Sequence, residues 1–346
     1  MRKGFFPLII AASFFLFQLG CFGEKELKPA DNPELPDRGY FMGMYPNPGS
    51  GQSEEEAFSQ AAAFCEFVPI AFEDVPFYEL PDMLSGSFGE KYVTELTRGN
   101  GMFPVICLPF FDDSIQLMRP PGMEDVSLST PSWKERYRDA VLDVVRISKP
   151  LYLAVGKDVN LWYERYGSGN AGPDDFDEFV ELYEEIYDSV KEICPSTIVF
   201  PIFTREVPDQ GREADLSVLG LFDFRKVDIL IFTSHPHVIE GLTLPSDLPD
   251  DYYSKAFRYF PACDFGLVDL TWPSSDSAGG EKGQADFLFD VATRLTRDRG
   301  LQLKLLGWAN LHDKNGGPPI GLITSEGEEK QAFEIWMELF NAQGNP

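Results

Sequence analysis

From residue 39 onward the chain alternates short apolar runs with longer stretches of helical periodicity, and it does so eight times. The apolar runs are Gly39–Tyr45, Phe67–Ala71, Met102–Leu108, Tyr152–Val155, Ile198–Phe203, Ile229–Ser234, Phe265–Asp269 and Lys304–Trp308. Most are continuous rather than alternating, as in parallel strands covered by helices. Between them the spacing predicts helices near 54–65, 88–98, 132–148, 174–193, 212–222, 249–259, 280–298 and 327–342. The fourth is the clearest: Phe176, Phe179, Val180, Tyr183, Ile186 and Val190 share one face, and Asp174 and Asp175 suit the positive end of the helix dipole. Eight such units in about 300 residues predict an α/β fold, a single-domain (β/α)8 TIM barrel. The rival is a doubly wound open sheet with a glycine-rich phosphate loop after its first strand. Here "MYPNPGSGQS" lacks the dinucleotide spacing, and its prolines remove backbone donors.

The N-terminus carries a different signal. Arg2 and Lys3 precede an apolar run, Phe5 to Leu19, that is short for a spanning helix and fits a signal-peptide core. Leu19-Gly20-Cys21 resembles the bacterial lipoprotein cleavage box, with Gln18 where that family usually has an aliphatic residue. The resemblance implies a signal peptide over residues 1–20, a lipid on Cys21, a tether over 21–37 and a domain over 38–346. The domain then works outside the cytoplasm, held to a membrane at the cell surface or on the periplasmic side. An ordinary export signal or an uncleaved anchor is the alternative. Pro29, Pro33 and Pro36 suit a tether. With 56 acidic against 29 basic residues the net charge is −27, so nucleic acid and anionic lipid are poor partners. Cys65, Cys107, Cys194 and Cys263 form no close pairs, which argues against zinc; disulfides and buried thiols both stay open.

In a (β/α)8 barrel, chemistry sits at the C-terminal ends of the strands. The fourth run ends in "VGKDVN" and the seventh in "LVDLTWPSS", which brings Asp158 and Asp269 to one mouth, over a single pocket. Two carboxylates across a cleft are what glycoside hydrolysis requires: one protonates the leaving oxygen, the other attacks the sugar or activates water.

These segments resemble the glycoside hydrolases of clan A, whose acid/base follows strand four in a Gly-Asn-Glu frame and whose nucleophile follows strand seven. Gly156-Lys157-Asp158-Val159-Asn160 is similar to the first frame, and Asp269-Leu270-Thr271-Trp272-Pro273-Ser274 to the second. "TSHPH" looks like the sixth-strand Ser-Tyr-Pro, with His235 in the tyrosine place, and "LLGWANLHD" looks like the eighth strand. Galactanases are among the nearer-looking members. The resemblance implies Asp158 as acid, Asp269 as nucleophile or base, a carbohydrate ligand, no cofactor or metal, and a monomer. It further implies sugar contacts from Lys157, Asn160 and His235, with Trp162, Trp272 and Trp308 as stacking platforms.

The departures fall at the chemistry. Both glutamates are aspartates, and Lys157 replaces the asparagine that holds the 2-hydroxyl. Each shortening withdraws a carboxylate by roughly 1.5 Å. A retaining pair about 5–5.5 Å apart could thus widen to about 8 Å, inside the inverting range. A lysine beside an acid also lowers the pKa that a proton donor needs raised. A carbohydrate-binding or structural envelope lipoprotein without catalysis is therefore the alternative function. His237, Asp112, Asp113, Glu206 and Asp313 lie near the same rim, where packing, solvated loop charges or helix caps are the simpler expectation.

Overall fold

The structure, a computed structural model, describes residues 26–72, 75–261, 263–297 and 302–342. The apolar run read as a signal-peptide core, and Cys21, lie outside these residues. The strands are β1 (Phe41–Tyr45), β2 (Phe67–Ile70), β3 (Phe103–Leu108), β4 (Tyr152–Val155), β5 (Ile198–Phe200), β6 (Ile202–Thr204), β7 (Glu206–Val207), β8 (Arg212–Glu213), β9 (Leu230–Ser234), β10 (Asp264–Leu270) and β11 (Gln302–Asn310). Nine of them form one parallel sheet in the order β5-β4-β3-β2-β1-β11-β10-β9-β6. β5 pairs with β4, while β6 pairs with β9 on the other side. Pro201, which has no N–H to give a ladder, separates the two halves of this one strand position. The sheet thereby curls into the eight-position barrel expected from the sequence. β7 and β8 form a small antiparallel pair beside the mouth.

The helices are α1 (Glu54–Ala61), α2 (Leu80–Ser85), α3 (Pro131–Ser148), α4 (Asn160–Tyr166), α5 (Phe176–Ile193), α6 (Gly280–Arg297) and α7 (Gln331–Phe340). Ser53 and Glu56 close a capping box at the start of α1, and Pro131 opens α3. The apolar face read in α5 is the buried one. α2 and α4 fall outside the expected helices, and three of the expected helical segments take another form. Residues 212–222 give β8 and a 3-10 stretch, Leu216–Leu221, with Asp215 capping Ser217 and Gly220 inside it. Residues 249–259 give only a short 3-10 turn, Ser254–Arg258; Tyr252 and Tyr253 are buried in the core, and aromatic side chains are weak helix formers. The segment after α2, Gly89–Thr97, winds as a π-helix. A Cβ at Gly89 would stand 1.8 Å from the Leu84 carbonyl oxygen, so only glycine fits that junction.

The lower face, opposite the strand C-terminal ends, is crossed by the end of the segment read as a tether. Leu27 N–H donates to the Ile193 carbonyl and Ala30 N–H to the Lys149 carbonyl, each at 2.8 Å. Arg98 grips the Asp31 carboxylate with two nitrogens and also donates to the Ser148 carbonyl. Residues 26–31 are thus strapped to the barrel rather than loose. Cys65, Cys107, Cys194 and Cys263 are free thiols; all but the half-buried Cys263 are buried.

Candidate active site

The mouth is assembled from strand ends that leave regular geometry. β4 stops at Gly156, whose φ of +88° suits glycine and whose added Cβ would meet Val159 at 2.5 Å. Two residues on, Asp158 takes φ +50°. β10 loses register with both neighbours between Leu267 and Leu270, and Asp269 lies in that bulge with φ +56°. Bulges beside sites re-aim side chains, and aspartate tolerates left-handed backbone better than most residues. Of the six non-glycine residues with positive φ among the described residues, four line the mouth cavities: Ala71, Ile115, Asp158 and Asp269. Such strain gathers at functional positions.

The two aspartates experience opposite environments. Asp158 accepts a hydrogen bond from Thr233 Oγ1. Burial raises its pKa, outweighing the pull of Lys157 and Thr233 in the other direction. At Asp269 burial also pushes upward, but Lys157 and His235 together overcome it and hold the carboxyl down to about 2. Lys157 Nζ lies 3.5 Å from Asp269 Oδ2 and donates to the Phe72 carbonyl at 3.1 Å. The lysine therefore reaches across the mouth to the carboxylate of β10. His235 Nε2 donates to the Asp269 carbonyl at 2.8 Å and lies 3.6 Å from Oδ1. Burial alone would lower this imidazole, yet Asp269, Glu206 and Asp158 raise it to about 9, so it is a cation at neutral pH. Asp158 thus leans toward its protonated form while Asp269 is ionised, a separation of the kind that divides an acid from a base.

The single pocket expected over both aspartates is instead two adjoining cavities. One, about 350 Å³, is lined by Tyr45, Phe72, Phe88, Tyr92, Asn310 and Asp269. The other, about 130 Å³, is lined by Phe72, Asp112, Leu161, Lys157 and Asp158. Phe72 borders both, and Lys157 binds its carbonyl.

Four expected ligand contacts are corrected by burial. Trp162, Trp272 and Trp308 are at most 1% exposed. Their indole N–H groups donate inward to the carbonyls of Asp174, Ala278 and Ile320, and Trp272 stacks on Phe287 at 4.9 Å. They are core residues, and the rings on the larger cavity belong to Tyr45, Phe72, Phe88 and Tyr92. Asn160 is fully buried; its amide exchanges two hydrogen bonds with the Thr204 backbone and latches the start of α4 to β6. Glu206 is no solvated loop charge. It is 1% exposed and accepts from Ser234 Oγ, Tyr252 Oη and the His235 N–H. His237 packs edge-on to Trp272, and burial, with the charge on His235, lowers it to about 4. Asp313 ties down the buried Lys330, and Asp112 caps an exposed turn. Sequence reading missed Thr233 and Phe72. Thr233 sits two residues before His235, on the same strand face, so the period of two could have found it. Phe72 had no such signal.

No family model matches the sequence, and no curated protein matches it. Solved structures do match its fold. A family 39 glycoside hydrolase from the gut symbiont Bacteroides cellulosilyticus aligns with a TM-score of 0.58 and 13% identity, covering 90% of this chain and 65% of that one. Xylanase 10B from Thermotoga maritima aligns with a TM-score of 0.60 and 14% identity over 88% of this chain and 95% of that one. The exo-β-1,4-mannosidase Op5Man5 from Opitutaceae bacterium strain TAV5 aligns at 0.58 and 16%, over 92% and 61%. The chain thus spans just under two thirds of the first and third of these structures. The shared feature is the fold, the (β/α)8 barrel of glycoside hydrolases.

Proposed function

We propose that the barrel mouth binds a carbohydrate and that Asp158 and Asp269 act on its glycosidic bond as acid and base. What carries this reading is the opposed pull on two aspartates at the ends of β4 and β10: burial raises the Asp158 pKa, while Lys157 and His235 hold Asp269 down to about 2. Asp158 donates its proton to the leaving oxygen. Asp269 either attacks the anomeric carbon or takes a proton from the attacking water. His235 keeps Asp269 anionic and oriented. The fold shared with glycoside hydrolases supports carbohydrate as the ligand class.

A second reading, binding without turnover, is favoured by Lys157. A carboxylate between two cations is a weak base and a weak nucleophile. One assay decides between them. Aryl glycosides and polysaccharides are tested for binding and turnover with the wild-type protein, Asp158→Asn and Asp269→Asn. Acid/base hydrolysis predicts turnover abolished in Asp269→Asn. In Asp158→Asn it predicts turnover lost for polysaccharides but spared for aryl glycosides, whose leaving groups need no proton. Binding in all three proteins with turnover in none establishes the second reading, and absence of binding removes both.

We extend the proposal to location. Arg2, Lys3, the apolar run and Cys21 support an extracytoplasmic lipoprotein. The strap formed by residues 26–31 on the lower face agrees with an anchor on the side away from the mouth. Labelling of Cys21 with a fatty-acid analogue, lost in Cys21→Ala, is the test.

A further inference from the structure

The shape of the mouth allows the ligand class to be narrowed, on the reading that the ligand is a carbohydrate. An enzyme or binder that grips the interior of a polymer needs a groove open at both ends. The larger cavity is bounded in two directions by built contacts. Toward Asp158 the boundary is Phe72, which lines both cavities and is backed by Lys157: the lysine donates to the Phe72 carbonyl, lies 5.9 Å from the centre of its ring and pairs with Asp269. Toward the outer rim the segments after β1 and β2 are tied together. Tyr92 Oη donates to Glu54 Oε1 at 2.7 Å, and Lys91 pairs with the same carboxylate. Ring contacts extend this clasp: Tyr45 meets Phe58 at 6.5 Å, Phe58 meets Tyr92 at 6.4 Å, and Phe88 meets Tyr92 at 4.8 Å.

Size points the same way. At about 350 Å³ the larger cavity lies near the lower bound, about 300 Å³, of small-ligand pockets. The second, about 130 Å³, has no room for a run of sugar rings. The lining of the larger cavity is aromatic and apolar apart from Asp269, Asn310 and the tyrosine hydroxyls, which suits the faces of a ring entering from above.

We infer that this mouth takes the terminal residue of a saccharide chain, seated on Asp269 within the Tyr45–Phe72–Phe88–Tyr92 cavity, with the linkage passing over Lys157 toward Asp158. Internal residues of a polymer are excluded by the Tyr92–Glu54 clasp on one side and the Lys157–Phe72 wall on the other.

The test counts chain ends. Soluble β-1,4-galactan, xylan and mannan are each titrated into the wild-type protein by calorimetry, before and after limited acid depolymerisation, at equal mass. A chain-end binder doubles its capacity per gram when the mean chain length is halved. Capacity that follows mass and ignores the number of ends overturns the inference and leaves carbohydrate recognition standing. No binding to any saccharide, including the aryl glycosides, removes both. The double variant Tyr92→Ala with Glu54→Ala opens the rim. If it keeps the wild-type melting temperature within a few degrees, it gains capacity for the uncleaved chains, and failure to gain it also counts against the clasp. If that variant does not fold, the chain-end titration of the wild-type protein decides alone.

Discussion

Replacing Asp269 by asparagine isolates the charge that organises the mouth. Asparagine also tolerates the left-handed backbone at this position, so the substitution changes electrostatics more than geometry. His235 stands at about 9 against an ordinary 6.5, a difference of order 3 kcal/mol at 1.36 kcal/mol per pH unit. Its side chain is 32% exposed, and solvent screening reduces the usable part to roughly 1–3 kcal/mol. The sign follows from the direction of each shift. The His235 contribution is complete below pH 6.5 and is lost as pH rises through about 9. The Asp269 contribution is complete above pH 3.8 and is lost as pH falls through about 2. Wild-type stability from this pair therefore peaks between the two limits. In Asp269→Asn burial opposes only Glu206 and Asp158, and His235 falls back to its ordinary value or below. The chain has only three histidines, so the imidazole C2–H signals are readable by NMR across a titration. Urea denaturation across the same range measures stability. The expected result is a loss of roughly 1–3 kcal/mol near neutral pH, together with a fall of the His235 midpoint by more than one pH unit. A wild-type His235 that titrates at its ordinary value, or a midpoint unmoved in the variant, refutes the arrangement.

Three further outcomes are expected. Trp308→Ala costs about 3–5 kcal/mol of stability because it empties a fully buried site, whereas Trp308→Phe leaves ligand affinity unchanged; a stacking platform would lose affinity in both, as calorimetry would show. Asn160→Ala strands the Thr204 N–H and C=O in the core and costs roughly 1–3 kcal/mol in urea denaturation; a neutral result removes the latch between α4 and β6. Arg98→Ala frees Asp31 and the Ser148 carbonyl; it should cost about 1–2 kcal/mol and expose the chain near residue 30 to limited proteolysis, and unchanged cleavage would mean that the strap does not hold.

The barrel was legible because its strands are continuous apolar runs at regular intervals, a pattern that few folds require. All eight strand positions lie where the runs are, but the fifth, read as one run, is split at Pro201 into Ile198–Phe200 and Ile202–Thr204, which pair with opposite neighbours. Helices were legible where one face was apolar, as in α5, and failed where aromatic residues served the core without helical spacing, as in residues 249–259. At the mouth, motif order placed Asp158 and Asp269 at the ends of neighbouring cavities, but residue type alone misjudged their surroundings. A tryptophan at a strand end reads the same whether its indole N–H faces a ligand or a carbonyl behind it. Lys157 follows Gly156 in left-handed conformation, so the simple alternation of strand faces does not hold there, and its reach to Asp269 required the coordinates.

Asp269, His235 and Lys157 form one electrostatic unit. His235 is a cation at neutral pH, and its backbone N–H donates to the buried Glu206. Lys157 supplies a second cation. Both are directed at Asp269, whose carboxylate they keep ionised. Removing any one member leaves the others poorly compensated in a partly buried place, which is far more destabilising than exchanging the whole set for apolar residues. A mouth released from any ligand would relax most cheaply toward such apolar packing and toward ordinary backbone angles. This one instead keeps four left-handed non-glycine residues around its cavities and a charge cluster that must be satisfied as a group. Strain and paired charge thus stand together at the strand ends, while the rest of the barrel packs as aromatic core, a combination that marks the mouth as the candidate site.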